Sequence, residues 1–216
     1  MSTLKTTNIT HGSNSGTANM VLAADGGVTI PEKKLYCPGG IVQVKSVTKT
    51  DQQNITSCNN SGSSTTPQQY MKHVTSLVLA ITPTASSSKI LIMYDVAATA
   101  EERYGGIAIF RGSSSTSTLT SDTPVGIGAA TSNRTRITKG IPSNEETTND
   151  EYENAFSVTG TFLDSPATTS EIFYKIGAGY NNTNDITVHI NRSASNADAV
   201  YSSVPISTLT LMEIAA

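Results

Sequence analysis

Few residues have side chains that could take part in catalysis or bind a metal, and these residues are far apart in the sequence. The histidines His11, His73 and His189 fall in different predicted elements, so we expect neither a metal site nor a catalytic triad from them. The pairs Glu101-Glu102 and Glu145-Glu146 are direct neighbours in predicted loops, whereas glycoside hydrolysis needs two carboxyl groups that face each other across a cleft. No phosphate-binding loop, nucleophile elbow or zinc-protease motif occurs in the sequence. The sequence therefore predicts a protein that is not an enzyme and that uses no cofactor or metal.

Composition excludes further classes of function. Charged residues make up 14% of the chain, against about 25% in an average soluble domain, and Ser and Thr together exceed a quarter of it. The net charge of −3 provides no positive field for phosphates, so no nucleic-acid partner is expected. The apolar run near Leu77–Ile81 is far shorter than the roughly 20 residues that span a bilayer. We therefore expect no membrane insertion.

Two cysteines, Cys37 and Cys58, leave two interpretations open. They could form one bridge between the first strand of the main domain and the loop that follows it. Alternatively they are two free thiols of a protein made in a reducing cytoplasm, which is the interpretation that the lack of a disulfide framework favours. Two cysteines supply neither a disulfide scaffold nor a four-ligand metal site.

The elements that must position any site are strands. No segment carries a sustained apolar stripe of helical period, whereas short alternating or apolar runs recur between clusters of Ser, Thr, Asn, Gly and Pro. Eight such runs predict an all-β jelly-roll β-sandwich of two four-stranded sheets. The predicted strands cover residues 41–50, 73–82, 89–98, 105–112, 154–164, 171–180, 185–193 and 204–215.

Local patterns refine this prediction. The apolar alternation of the first strand changes phase between Val44 and Val47, which predicts a β-bulge there. Residues 73–82 and 89–98 are apolar on both faces, so both faces of these strands should be covered. His189 falls opposite the apolar face of its strand and is expected to be exposed.

Residues 1–35 differ from the rest of the chain. Two short apolar steps, Met20–Leu22 and Val28–Ile30, flank Asp25-Gly26-Gly27, which favours a hairpin turn because glycine tolerates positive φ. A segment this small cannot bury a core of its own. We expect it to be an extended or hairpin arm for anchoring or assembly, preceding a head domain over residues 36–216.

Several strand and turn phrases resemble a recurring domain in structural proteins of tailed bacteriophages, especially marine ones. The opening MSTLKTTNITHG…NMVLAADGGVTIP also resembles the N-terminal lead of phage tail-fibre-like proteins. The phrases in the main domain are IVQVKSVTKTD, LVLAITPTASSSKILIM, GGIAIFRG, ATSNRTR, FLDSPATTSEIFYKI, VHINRSA and STLTLMEIA.

This resemblance implies a virion protein, namely a tail-fibre or knob-like head domain that is homotrimeric and similar to jelly rolls of the tumour-necrosis-factor type. Neighbouring copies would then cover the second apolar face of the strands. The N-terminal arm would bind other virion proteins, and the head would bind host cell-surface polysaccharide or an outer-membrane protein. The alternative is a capsid decoration or tail-collar protein. Because the opening MSTLKTTNIT resembles no signal peptide, synthesis in the host cytoplasm is expected.

The loops of such a head are the expected binding surface. These loops cover residues 99–105, 130–153 and 179–185, and the candidate receptor-binding residues in or beside them are Tyr104, Arg134, Tyr180 and Asn182. Three arginines at strand ends, Arg111, Arg134 and Arg192, could instead form ion pairs, with Asp164 or Glu213 as possible partners.

Overall fold

The structure, a computed structural model, contains two compact units, Met1–Pro38 and Gly39–Ala216. Each is described by itself below. Backbone placement is described for residues 8–9, 20–22, 24, 28–29, 38–56, 65–101, 105–142, 154–180, 187–200 and 202–216.

The N-terminal unit contains a small antiparallel sheet. Its strands are β1 (Asn8–Ile9), β2 (Met20–Leu22) and β3 (Val28–Thr29), in that spatial order. Leu22 pairs with Val28 across β2 and β3, which confirms the predicted hairpin. The predicted turn Asp25-Gly26-Gly27 lies outside the described residues. The assembly role expected for residues 1–35 stays a prediction.

The second unit is built from strands, with a single 3₁₀ turn at Pro67–Gln69 among its described residues. Its strands are β4 (Ile41–Lys49), β5 (Gln53–Ile55), β6 (Met71–Ile81), β7 (Lys89–Ala100), β8 (Gly105–Gly112), β9 (Thr123–Val125), β10 (Lys139–Gly140), β11 (Phe156–Asp164), β12 (Ile172–Tyr180), β13 (Val188–Ile190) and β14 (Ser207–Ile214).

These strands form two antiparallel sheets. In the first sheet, β14 lies between β4 and β7, and β11 pairs with the other edge of β7. The second sheet has the order β6, β12, β8, β10, and β9 also pairs with β8. With β5 and β13 the first sheet has six strands, and the second has five. Each sheet combines strands from the first and the second half of the chain. This order is that of a jelly roll, which confirms the predicted all-β fold.

The core lies between the two sheets and follows the period-two alternation of their strands. Inward side chains from β7 and β14 meet those of β8 and β12, which we expect from strands with one apolar face. The fully buried members include Ile90, Ile92, Val96, Leu209, Leu211, Ile107, Ile109, Tyr174 and Ile176. Strand β11 alternates in the same way, since Val158 is buried whereas Ser157 and Thr159 are exposed.

The predicted bulge in the first strand is wrong in position. The pairing of β4 with β14 runs unbroken from Lys49 to Gln43, and the register shifts only near Val42. A second irregularity lies in β6, where Ser76 has a φ of 68° and the register with β12 shifts. This irregularity lets Val74 and Leu77, which differ by an odd number of positions, both face the core.

Candidate binding surface

The outer face of the first sheet is divided into an apolar and a hydroxyl half. Val44, Met212, Leu91 and Leu163 lie directly opposite one another on β4, β14, β7 and β11, and they form what we call the apolar row. Val44 keeps 54% and Leu163 keeps 48% of its surface exposed. A row of large aliphatic side chains across four strands is unusual on a solvent-exposed face, and such patches mark interaction surfaces.

The adjoining half carries hydroxyl groups around a shallow depression of about 500 Å³. Two rows cross it: Thr210, Met93 and Thr161 are opposite one another, and so are Thr208, Asp95 and Thr159. We call this feature the hydroxyl depression. The Ser157 hydroxyl donates to Oδ1 of Asp95. Because β7 supplies Met93 and Asp95 between two threonine-bearing strands, one apolar and one anionic group stand at the centre of four hydroxyls.

The core beneath the depression contains Tyr94. Its ring packs against Gly160, where a Cβ atom would lie only 2.4 Å from the Tyr94 hydroxyl. Among the described residues, the Tyr94 hydroxyl is the one buried side-chain polar atom without a hydrogen-bond partner. Burial raises the pKa of Tyr94 to about 12, so the phenol stays neutral.

The outer face of the second sheet is covered by the chain itself. A second apolar cluster contains Tyr70, Met71, Ala108, Phe110 and Leu119, with Ile127 and Ile137 packed against it. Leu119, Ile127 and Ile137 come from the connection between β8 and β11, which folds back over the sheet. For this sheet, the expectation that another copy supplies the outer cover is therefore wrong.

A buried ion pair fastens this covering segment. Nζ of Lys175 lies 2.8 Å from Oδ2 of Asp122, and both side chains are almost fully buried. The same ammonium donates to the backbone oxygen and the hydroxyl of Ser117, at 2.7 and 2.6 Å. Its three protons are thus all used, which is what makes a buried ammonium tolerable.

Other ionisable side chains tie strands together. The Asp164 carboxylate accepts hydrogen bonds from Nη1 of Arg111 and from the Tyr174 hydroxyl, both at 2.6 Å. The Arg111–Asp164 pair confirms one of the ion pairs suggested by the sequence, and it joins the two sheets. Burial and the Asp164 carboxylate raise the pKa of Tyr174 far above the usual range.

Glu213 pairs with none of the arginines that the structure describes, so the suggested pairing with Arg111, Arg134 or Arg192 is wrong. Neutral donors surround its carboxylate instead: Gln43 at 2.6 Å and both the backbone N–H and the hydroxyl of Thr84 at 2.7 and 2.6 Å. Burial alone would raise the pKa of Glu213, but hydrogen bonds from Gln43, Thr84 and Ser88 outweigh it and hold the pKa below its usual value. The carboxylate fixes the β6–β7 turn to β14.

The strands β13 and β14 lie end to end along one edge of β7, with residues 191–206 leaving the sheet between them. Asn191, with a φ of 57°, stands at this interruption and is fully buried. Its amide donates to the backbone oxygens of Lys49 and Asp51 at 2.9 and 3.0 Å, and its Oδ1 accepts the Ser207 hydroxyl at 2.5 Å. One side chain thus closes the break in the sheet.

His189 is buried, with 3% of its surface exposed, so the expectation of an exposed histidine is wrong. The reason is that β13 lies between β5 and β7, and neighbouring polar side chains close over it. Nδ1 is 3.1 Å from Oδ1 of Asn54, and Nε2 is 3.1 Å from Oε1 of Glu101. Burial, with the charge of Arg192, lowers the pKa of His189 against the opposing effect of Glu101.

The structure does not bring the four predicted receptor-binding residues together into one described site. Tyr104 and Asn182 lie outside the described residues, as do Cys37 and Cys58. Tyr180 ends β12, where its backbone pairs with Gly105 at the start of β8. Arg134 is exposed, in a turn where its backbone N–H donates to the Thr131 oxygen. The loop predicted over residues 130–153 includes a buried residue, Ile141, so its described part is not wholly a free surface.

Sequence reasoning missed the threonines of the hydroxyl depression. Their signal is present, because Thr159-Gly160-Thr161 and Thr208-Leu209-Thr210 share the same alternation. Which strands are neighbours cannot be read from either triplet alone.

Two kinds of feature, a metal-binding group and a membrane-spanning helix, are absent from the described residues. No group of three or more His, Cys, Asp or Glu side chains there is arranged to hold a metal ion. No helix there has the length and apolar character needed to cross a membrane.

Comparisons with known proteins identify no family for this chain. No family model and no curated protein matches the sequence. A solved structure, the infectious bursal disease virus VP2 subviral particle, aligns with 81% of this chain at a TM-score of 0.31 and 10% identity. The aligned part spans only 38% of the VP2 chain. A TM-score this low does not establish relatedness.

Proposed function

We propose that this chain is a structural protein of a virus particle, specifically a homotrimeric, tail-fibre-type head domain of a tailed phage that attaches to the host surface without enzymatic activity. The observation that carries the proposal is the outer face of the first sheet, which keeps the apolar row exposed. The second sheet is covered by its own chain, whereas the exposed row suits a contact with another copy. The phage-like phrases quoted above suggest the kind of particle.

The apolar row is proposed as the contact between copies. Val44, Leu91, Leu163 and Met212 are outward-facing, so a charge introduced there should disturb assembly more than the fold. Light scattering on the purified chain should give a mass of three chains of 22.6 kDa each. Leu91→Lys should reduce the mass to that of one chain. Thr48→Lys, on the same face but outside the row, is the matched control and should leave the mass unchanged.

A monomer mass for the wild-type protein at micromolar concentration would contradict the trimer. A trimer that persists in Leu91→Lys would place the contact elsewhere.

Attachment is the second part of the proposal. The purified protein should bind host cells and compete with phage adsorption, with surface polysaccharide or an outer-membrane protein as the receptor. The unit Met1–Pro38 is proposed to bind other virion proteins. A protein that neither binds hosts nor slows adsorption would contradict the attachment role.

The absence of enzymatic activity is proposed because the buried ionisable side chains already have structural partners. Lys175 and Asp122 fasten a covering segment, and Arg111, Asp164 and Tyr174 join the sheets. The direct test is an assay for depolymerisation of host polysaccharide. Activity that disappears in a single carboxylate variant, such as Glu101→Gln, would contradict this part of the proposal.

A capsid decoration or tail-collar role is the second candidate. It is favoured by the division of the chain into a small N-terminal unit and a larger head, which suits a clamp between neighbouring subunits. Copy number separates the two roles. Hundreds of copies per purified particle would indicate decoration, and a few to tens would indicate a fibre.

A further inference from the structure

The geometry points to the hydroxyl depression as a binding site for a neutral saccharide. This inference deepens the attachment role proposed above and rests on it only for the biological source of the saccharide. It places the site on the face of the first sheet rather than on the loops.

The shape and spacing of the site come from the strand register. Adjacent strands lie about 4.8 Å apart and alternate residues about 7 Å apart along a strand. The hydroxyl-bearing residues Thr159, Thr161, Thr208 and Thr210 therefore occupy the corners of a rectangle of roughly 10 by 7 Å. The depression of about 500 Å³ falls within the size range of small-molecule sites and is open enough to admit part of a longer chain.

The chemistry of the lining matches a polyol. Each threonine hydroxyl can donate and accept, as sugar hydroxyls do, and the Asp95 carboxylate accepts from ligand hydroxyls. The Ser157 hydroxyl fixes one Asp95 oxygen, which orients the carboxylate toward the depression. Met93, with 38% of its surface exposed, offers a polarisable apolar group for the C–H face of a sugar ring.

The lining also disfavours other ligands. It contains a carboxylate and neither lysine nor arginine, so a phosphate or an acidic sugar would meet uncompensated negative charge. The Tyr94 ring packs in the core and offers no aromatic platform for a nucleobase. The Thr210 hydroxyl already shares a hydrogen bond with Ser46, and one Asp95 oxygen accepts from Ser157. A purely apolar ligand would cut the remaining polar groups of the lining off from water without giving them a partner. A neutral saccharide satisfies the whole lining.

Weak affinity per site is expected because no aromatic ring stacks on the sugar. Several sites on one assembly would compensate, since simultaneous contacts raise the overall avidity without any new contact at each site.

The test is ligand-observed NMR and calorimetry on the full-length protein with maltotriose, cellotriose and mannotriose, and with 3′-sialyllactose as the acidic counterpart. A neutral trisaccharide should bind in the millimolar range, and 3′-sialyllactose should not. The variant Thr161→Val/Thr208→Val keeps the shape of both side chains and removes two hydroxyls, and it should weaken binding more than about tenfold. The matched control Thr48→Val, on the same face outside the depression, should bind as the wild type does.

Absence of binding by every neutral trisaccharide would overturn the inference, as would equal binding by wild type and Thr161→Val/Thr208→Val. The proposed function fails separately. If the double variant loses the saccharide but the chain is absent from virus particles, the site stands and the virion role is wrong. If wild type and double variant bind host cells equally well, attachment stands and this site is wrong.

Discussion

The two sheets of the jelly roll differ in the exposure of their outer faces. The connection between β8 and β11 folds back over the second sheet and buries Phe110 and Leu119. No segment that the structure describes covers the central strands of the first sheet in this way, and the outward positions of these strands carry hydroxyls beside the apolar row. Strand alternation therefore determines which face of a sheet packs in the core. The length and composition of the connections determine whether the other face is covered or exposed.

The largest expected effect comes from removing the buried ion pair between Lys175 and Asp122, which holds the covering segment on the second sheet. Asp122→Ala leaves the Lys175 ammonium buried without its carboxylate, which should cost about 3–5 kcal/mol of unfolding free energy. Denaturant unfolding measures this loss. The double variant Lys175→Met/Asp122→Leu, which replaces the pair by apolar groups, should recover most of it. A loss under about 1 kcal/mol in Asp122→Ala would mean that the segment is held by its apolar contacts alone.

A matched pair of leucines compares the two faces directly. Leu119→Ala removes a side chain that is 5% exposed and packs in the cover, so a loss of about 2–4 kcal/mol is expected. In the Leu91→Lys background, which removes the proposed contact between copies, Leu163→Ala changes a side chain that is 48% exposed in the single chain, and it should stay within about 0.5 kcal/mol of its parent. Denaturation of each variant beside its parent measures the contrast. Equal losses would show that the open face is covered in solution.

The break between β13 and β14 lies in the first sheet, along one edge of β7. Asn191→Ala leaves the oxygens of Lys49 and Asp51 without their donor and places alanine at a φ of 57°, so a loss of about 2–3 kcal/mol is expected. Asn196 also has a positive φ, 49°, but it is exposed. Asn196→Ala is therefore the control and should cost less than about 1 kcal/mol. Similar melting curves for both variants would assign the effect to backbone strain alone.

The smallest effect should come from acidification, which acts at His189 in the first sheet and at His73 in the second. Burial lowers the folded-state pKa values of His189 and His73. The unfolded chain therefore binds more protons, and the stability present above about pH 6.5 is lost as the pH falls toward the folded values. The melting temperature should decrease between about pH 7 and pH 5, and His189→Gln should flatten part of this slope. A stability that rises on acidification would mean that Glu101 outweighs burial at His189.

The sequence predicted the architecture well because it depends on alternation, which is local. The runs around Ile107, Val158 and Leu209 lie in strands, as predicted. What could not be predicted depends on neighbours distant in sequence. His189 is buried because Asn54 and Glu101 close over it, and the hydroxyl depression exists because β11 and β14 flank the same stretch of β7.

A glycine inside β12 is a sequence signal for the close packing of another segment on the second sheet. Gly177 in β12 leaves room for the cover, since a Cβ there would lie 2.5 Å from Phe110 and 2.8 Å from Leu119. A glycine inside a strand indicates close approach by another segment. From the sequence alone, Gly177 indicates that another segment packs closely on this face of β12. It does not indicate that this segment contains Leu119, because Leu119 is distant in sequence.

Because β13 and β14 are held at their ends, the segment between them can differ in length while the sheet keeps its geometry. Asn191 and Ser207 hold the two strand ends, so we expect the mostly exposed residues 195–200 between them to accept a change in length without moving either strand. Natural variants of this protein should differ in size there. The same segment is the place to insert a tag.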